Sequence, residues 1–177
     1  PGWIRTKALR PFWGFGNRKD GRYRMDEGTI RSGTPGYEDL REFAAALILN
    51  KAGELLLLRR SMTTLRWPGK WGIAGGGMEH GESPDQALRR ELLEELGPEI
   101  RMRTVRGPET LKAIGGYGGF IHLWHQIWLG GTIQLSEEHT EYAWVNPAAY
   151  AGLDVMPGVD EDLTHFGIWP GRAKRPG

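Results

Sequence analysis

The chain has 177 residues, an ordinary globular composition (39% hydrophobic, 25% charged) and a formal net charge of +1. That length suits one domain with a sizeable core, and the charge balance excludes recognition of nucleic acid or a membrane by global charge. With no cysteine, disulfides, thiolate metal sites and cysteine nucleophiles are excluded as well, which fits a reducing compartment.

Residues 1–41 hold nine Lys or Arg against five Asp or Glu, with scattered glycines and aromatics and little periodicity. They are expected to form an irregular extension. Trp3, Phe12, Trp13 and Phe15 give it enough apolar area to dock on the core or on a second copy of the chain, so a homodimer is expected. No apolar run approaches the ~18 residues that span a bilayer. The opening PGWIRTKALRPFWGFG lacks the apolar centre of a signal peptide, so the cytoplasm is the expected location. Residues 42–155 read as the folded domain and 156–177 as a C-terminal tail.

In EFAAALILNKAGELLLLRRS, two apolar runs flank the turn cluster Asn50-Lys51-Ala52-Gly53, which predicts a β-hairpin. Arg59 and Arg60 end its second strand. Alternation puts one on each face, one a candidate phosphate contact and the other a surface charge. WGIAGGG starts as a short strand and is expected to break at its glycines. Trp67 and Trp71, in RWPGKWG, are candidates for stacking on a base, although packing is the blander reading of each.

The next segment carries full helix signals. Ser83 is a good N-cap, Pro84 occupies the first helical position, and Gln86 completes a capping box. Gly97 is expected as a left-handed C-cap and Pro98 prevents continuation, so the helix spans Pro84–Leu96. RMRTVRG and ETLKAI follow as two expected strands. GGYGG reads as a turn carrying Tyr117, another stacking candidate, and residues 120–129 form a long strand. Trp124, Trp128 and Trp144 are expected in the core. EYAWVNP gives a last strand, followed by a short helix near 147–152. Strands outnumber helices in mixed order, which indicates an α/β or α+β fold.

On a helical wheel, Leu88, Leu92 and Leu96 form one apolar ridge with Leu93 on its flank. Glu91, Glu94 and Glu95 occupy about one quadrant on a different side. Carboxylates this close raise one another's pKa, and a divalent cation reverses the sign of that interaction. Oxygen donors suit Mg²⁺ or Mn²⁺. For an isolated ELLEEL helix, a solvated acidic face would be the better reading. Here a glycine run lets backbone approach a ligand, and Arg90 can grip a carboxylate through two hydrogen bonds.

The stretch containing Gly76, Glu82, Arg90, Glu91, Leu92, Glu94, Glu95 and Gly97 resembles the signature of the Nudix hydrolase family. It departs at Pro98, where an aliphatic residue is usual, and at Ala74, where proline is frequent. The resemblance implies a Nudix-type α/β/α sandwich with a mixed β-sheet. It also implies metal-dependent attack of water on a phosphorus of a nucleoside diphosphate derivative. The implied metal ligands are the Gly75 carbonyl, Glu91, Glu94 and Glu95, and Gly76, Glu82 and Gly97 are structural positions of the motif. Related enzymes often place an extra glutamate before a late strand. In SEEHTEY that is Glu138 by our choice, with Glu141 and His139 behind it. The expected partner is a nucleotide-derived small molecule rather than a nucleic acid or a membrane. The substrate stays open among sugar nucleotides, ADP-ribose, dinucleoside polyphosphates and (d)NTPs. The alternative is a catalytically silent nucleotide-binding module on the same fold. Retention of all three acids weighs against it.

Overall fold

The computed structural model describes residues 41–113 and 119–169. The aromatics of the N-terminal extension and Tyr117 lie outside them. In chain order the elements are β1 (Arg41–Leu49), β2 (Leu55–Arg60), β3 (Trp71–Gly72), β4 (Ala74–Gly77) and α1 (Pro84–Leu96). They continue with β5 (Arg101–Lys112), β6 (Gly119–Gly130), β7 (His139–Val145), α2 (Pro147–Ala151) and α3 (Val159–Phe166).

β1 is buried along nearly its whole length because both faces of the sheet are covered. Ala44, Ala46 and Ile48 join Leu56 and Leu58 of β2 in one core cluster, closed by Ala87, Leu88, Leu92 and Leu96 of α1. Ala45, Leu47 and Leu49 join Leu55 and Leu57 in a second cluster, closed by Tyr150 of α2 and by Val159, Leu163 and Phe166 of α3. Alternation along each strand therefore feeds two cores, and a run such as LLLL needs no polar partner positions. The result is the expected α/β/α sandwich. Its sheet is mixed, since β1 runs parallel to β6 and antiparallel to β4. Trp124 is buried in the first cluster, with Trp128 and Trp144 packed on its margin.

Several expectations need adjusting. The hairpin is paired only next to its turn, at Leu49 and Leu55. Beyond that point β1 takes β4 as its neighbour, while β2 takes β3 and β7. The glycine run does not break the strand. Ala74–Gly77 is itself β4, and Gly75, at φ 142, lies so close to β1 that a Cβ there would sit 2.3 Å from the Ala44 carbonyl oxygen. The two strands expected across 101–112 are one, β5, with register shifts where it pairs β6. Arg41, placed in the extension, opens β1. α3, past the boundary expected at 155, supplies buried side chains to the second core.

α1 has the predicted limits and the predicted capping box. The Gln86 N–H donates to Ser83 Oγ at 3.3 Å, and the Ser83 N–H donates to Gln86 Oε1 at 2.8 Å. Gly97 differs from the left-handed cap expected of it. Its φ is 87° but its ψ is 173°, so the chain leaves in a mirror-extended conformation that glycine adopts without strain. Gln134 packs where a Cβ would project.

Candidate functional site

One cleft opens where β1, β2, β4, α1, β7 and the segment leading into α3 meet. Its polar lining includes Arg60, Glu95, His139 and Asp162. β4 brings Gly75 and Gly76 to the cleft against the middle of α1. The Gly75 N–H donates to Glu95 Oε2 at 2.8 Å. A Cβ on Gly76 would fall 2.4 Å from the Glu91 carboxyl group, so only glycine leaves that carboxylate its place.

Arg90 organises the neighbouring acids. Its Nε and Nη2 donate to the two oxygens of Glu82 at 2.8 and 3.0 Å. Nη1 donates to Glu91 Oε1 at 2.8 Å, and Nη2 also reaches the Gly77 carbonyl at 2.8 Å. One planar guanidinium thus ties the loop, the strand and the helix together. These bonds hold Glu82 below the usual carboxylate range and raise the Arg90 pKa further. Through these contacts Arg90 grips Glu82 and Glu91, the kind of carboxylate clamp expected of it from the sequence.

The three helix glutamates do not share one environment. Glu91 and Glu95 are buried, 3% and 2% exposed, whereas the Glu94 side chain is 60% exposed at the rim, 3.4 Å from Arg90 Nη1. Leu93, on the same outward side, is exposed rather than flanking the core. Burial pushes Glu91 up to about 7, against the pull of Arg90. Burial also pushes Glu95 well above its ordinary value, reinforced by the charge of Glu91. Glu95 Oε1 is buried without a hydrogen-bond partner, and His139 Nε2 stands 3.8 Å from it. His139 is pushed down to about 4 by burial and by Arg60, so it is neutral near pH 7.

Glu138 belongs with this group. Burial pushes it up to about 7, Arg60 opposes that, and its charge is felt at both Glu91 and Glu95. Its Oε2 is buried without a hydrogen-bond partner. Glu141 is elsewhere, on the surface at 2.6 Å from Arg59 Nη1.

The structure separates the other candidates. Arg60 is 3% exposed and lines the cleft, with its Nε donating to the Arg66 carbonyl at 2.8 Å. Arg59 faces away into its pair with Glu141. Trp71 packs on the second core cluster, and neither it nor Trp67 is among the residues that line the cleft. Sequence reasoning missed Asp162. The signal was present, because 159, 162, 163 and 166 follow the inward spacing of a helix.

The donor set fits a hard divalent cation. It consists of carboxylates and backbone carbonyls in a cleft, with a buried carboxylate oxygen that nothing else satisfies. Among the described residues, no three His, Asp or Glu side chains close into a ready-made metal cluster. Arg90 holds Glu82 and Glu91, the Gly75 N–H holds Glu95, and Glu94 turns outward, which separates like charges.

Residues 39–165 match the NUDIX domain family. The chain is similar to the nucleoside triphosphatase NudI of Escherichia coli (strain K12), at 30% identity over 138 residues, covering 72% of this chain and 88% of that protein. It is similar in structure to the MutT protein from Methanosarcina mazei Go1. There the TM-score is 0.58 at 29% identity, covering 72% of this chain and 91% of that one. The solution structure of the E. coli ORF135 protein gives a TM-score of 0.54 at 31% identity, covering 78% and 95%.

Proposed function

The chain belongs to the NUDIX domain family, and from that premise we propose that it hydrolyses the pyrophosphate linkage of a nucleoside diphosphate derivative with Mg²⁺ or Mn²⁺. One observation carries the reading. Two glutamates are buried together, Glu95 lining a glycine-walled cleft and Glu91 against its Gly76, and an oxygen of Glu95 there has no partner within the protein. An uncompensated buried carboxylate is costly unless a cation completes it.

Glu91, Glu94, Glu95 and the Gly75 carbonyl would hold the metal, whose chemistry there is to neutralise diphosphate charge and acidify a bound water. Arg90 keeps Glu91 in place and Glu82 keeps Arg90 in place. Gly76 leaves room for the carboxylate between them. Glu138 is the general base of this proposal, since burial raises its affinity for a proton to about the operating pH. Arg60 is the phosphate contact. It stands in the cleft with its charge felt by Glu95, Glu138 and His139. The nucleoside triphosphatase activity named for the Escherichia coli relative makes nucleoside triphosphates the first substrates to try.

The test is chromatography of products after incubation with Mg²⁺ or Mn²⁺ and a panel of (d)NTPs, ADP-ribose, sugar nucleotides and dinucleoside polyphosphates, beside a metal-free control. Metal-dependent cleavage at one pyrophosphate is expected. If no compound is cleaved and calorimetry shows no cation bound, the silent binding module takes its place. A homodimer is part of the proposal, and a monomeric mass by light scattering would remove it.

A further inference from the structure

One wall of the cleft comes from α3, whose Val159 and Asp162 line it together with Gly75, Gly76 and Glu95. The shape of that wall depends on where α3 sits. The helix is short and opens without a side-chain cap, so its placement comes from what it touches. The segment before it is tied to β3. There the Trp71 N–H donates to the Asp154 carbonyl at 2.9 Å and the Met156 N–H donates to the Trp71 carbonyl at 2.8 Å. In the first turn Asp160 accepts a hydrogen bond from the Tyr150 hydroxyl at 2.9 Å. Val159, Leu163 and Phe166 then pack into the second core.

The far end of α3 is held from β5, the outermost strand of the sheet. The His165 Nε2–H donates to Glu109 Oε2 at 2.6 Å, and Arg106 Nε donates to the other oxygen of the same carboxylate. The Arg106 guanidinium also lies 4.7 Å from the centre of the Phe166 ring. His165 first and Arg106 second hold the Glu109 carboxyl below the usual carboxylate range. β5 is shaped for these contacts. Arg106 lies opposite His125 and Glu109 opposite Leu123, so three steps along β5 match two along β6. Strict alternation would send Arg106 and Glu109 to opposite faces, and the bulge turns both to the α3 side. An isolated surface ion pair contributes little. Here one carboxylate joins the rim strand to the helix, and its second donor stacks on a buried ring of that helix. Resting on the reading of this cleft as the substrate site, we propose that Glu109 and His165 are positioning residues for substrate binding, their bond clasping the end of α3 to β5 and so setting the α3 wall of the cleft. The proposed metal ligands and base lie on β4, on α1 and just before β7, so opening the clasp weakens binding and spares the chemical step.

The experiment measures kcat and KM for the best-cleaved triphosphate under Mg²⁺, and calorimetric Kd for the Mg²⁺ complexes of the α,β-methylene analogues of ATP, GTP, CTP and UTP. The proteins are wild type, Glu109→Ala, His165→Ala, His165→Gln and the double alanine variant. Glu109→Ala and His165→Ala should each raise KM and Kd by about 3- to 5-fold, with kcat within about 2-fold of wild type. The double variant should bind no more weakly than Glu109→Ala, because both changes open one clasp. His165→Gln, whose amide N–H can reach the same oxygen, should restore wild-type binding. Amide hydrogen exchange should quicken in residues 159–166 of the alanine variants and hold in residues 84–96. Unchanged KM and Kd in the variants overturns the proposal and leaves the reaction standing. So does a fall in kcat at constant KM, or faster exchange that α1 shares. Analogue binding that weakens in the alanine variants and returns in His165→Gln, without hydrolysis of any triphosphate, supports the clasp while removing the reaction. A wild type that neither binds an analogue nor cleaves a triphosphate overturns both.

Discussion

On α1, each buried acid has a partner at 2.8 Å, Glu91 from Arg90 and Glu95 from the Gly75 N–H. On α3, Asp162 is buried to a similar degree with no such support. The helices also begin differently. α1 opens on a Ser83–Gln86 capping box, while α3 opens on Gly158 at φ 101° with no side-chain cap. The contrast separates two uses of a buried carboxyl. Glu91 and Glu95 are held in fixed positions by donors that leave part of their valence unspent, which suits a site that must place a metal to within a fraction of an ångström. Asp162 has no such donor, and burial raises its pKa to about 7.

Four measurements would break or sharpen that contrast. The largest effect is expected at Glu95. Glu95→Gln keeps an oxygen to accept from the Gly75 N–H and so should fold, yet lower Mg²⁺-dependent turnover by roughly 10²- to 10³-fold. Full activity in steady-state assays would show that this acid is structural. Next comes Arg90→Ala, which strands Glu82 and Glu91. It should lower stability by about 3 kcal/mol in urea unfolding and turnover by about 10- to 100-fold. Turnover falling without any loss of stability would make Arg90 a direct participant instead of a positioning residue.

The third compares Asp162→Asn with wild type in metal-free melting scans. An acid whose pKa is raised by folding binds its proton more tightly in the folded state. Its contribution is therefore greatest below the unfolded value of about 4 and is lost as pH climbs to about 7. His139, with a pKa lowered by burial, pulls the opposite way, so the difference between the two proteins is the clean quantity. The variant should gain Tm over wild type as pH rises from about 4 to about 7 and then hold the gain. A difference flat with pH would mean that Asp162 has a partner. The smallest effect concerns the caps. Ser83→Ala should cost about 1 kcal/mol in the same unfolding experiment and leave kcat/KM nearly unchanged, since Ser83 lies about two turns before Glu91.

α1 was readable to the residue because its signals are local. Cap, proline, capping partner and terminal glycine act within a few positions, and the same segment holds the Nudix resemblance. Glu138 was singled out through the resemblance, by its place before a strand, and it lies within reach of the electrostatics of Glu91 and Glu95. The glycine run was misjudged because its conformation is set by β1, which no local rule contains. α3 was missed for the same reason. Its first residue is uncapped, and its stability comes from Val159, Leu163 and Phe166 meeting a core built by β1 and β2. Arg59 and Arg60 were separable only as a pair, since alternation says that two neighbours face opposite ways and not which one faces the cleft.

The sequence by itself therefore determined the helix that bears the acids and the spacing of those acids, through short-range chemistry, while its resemblance to the Nudix signature implied the sandwich and the family. Tertiary structure alone decided that Glu94 turns out while Glu91 and Glu95 turn in, that Arg60 and not Arg59 enters the cleft, and that Asp162 closes it from the far end of the chain. Burial and the electrostatics that follow from it depend on which surfaces meet, and surfaces distant in the chain meet only once both faces of the sheet are covered.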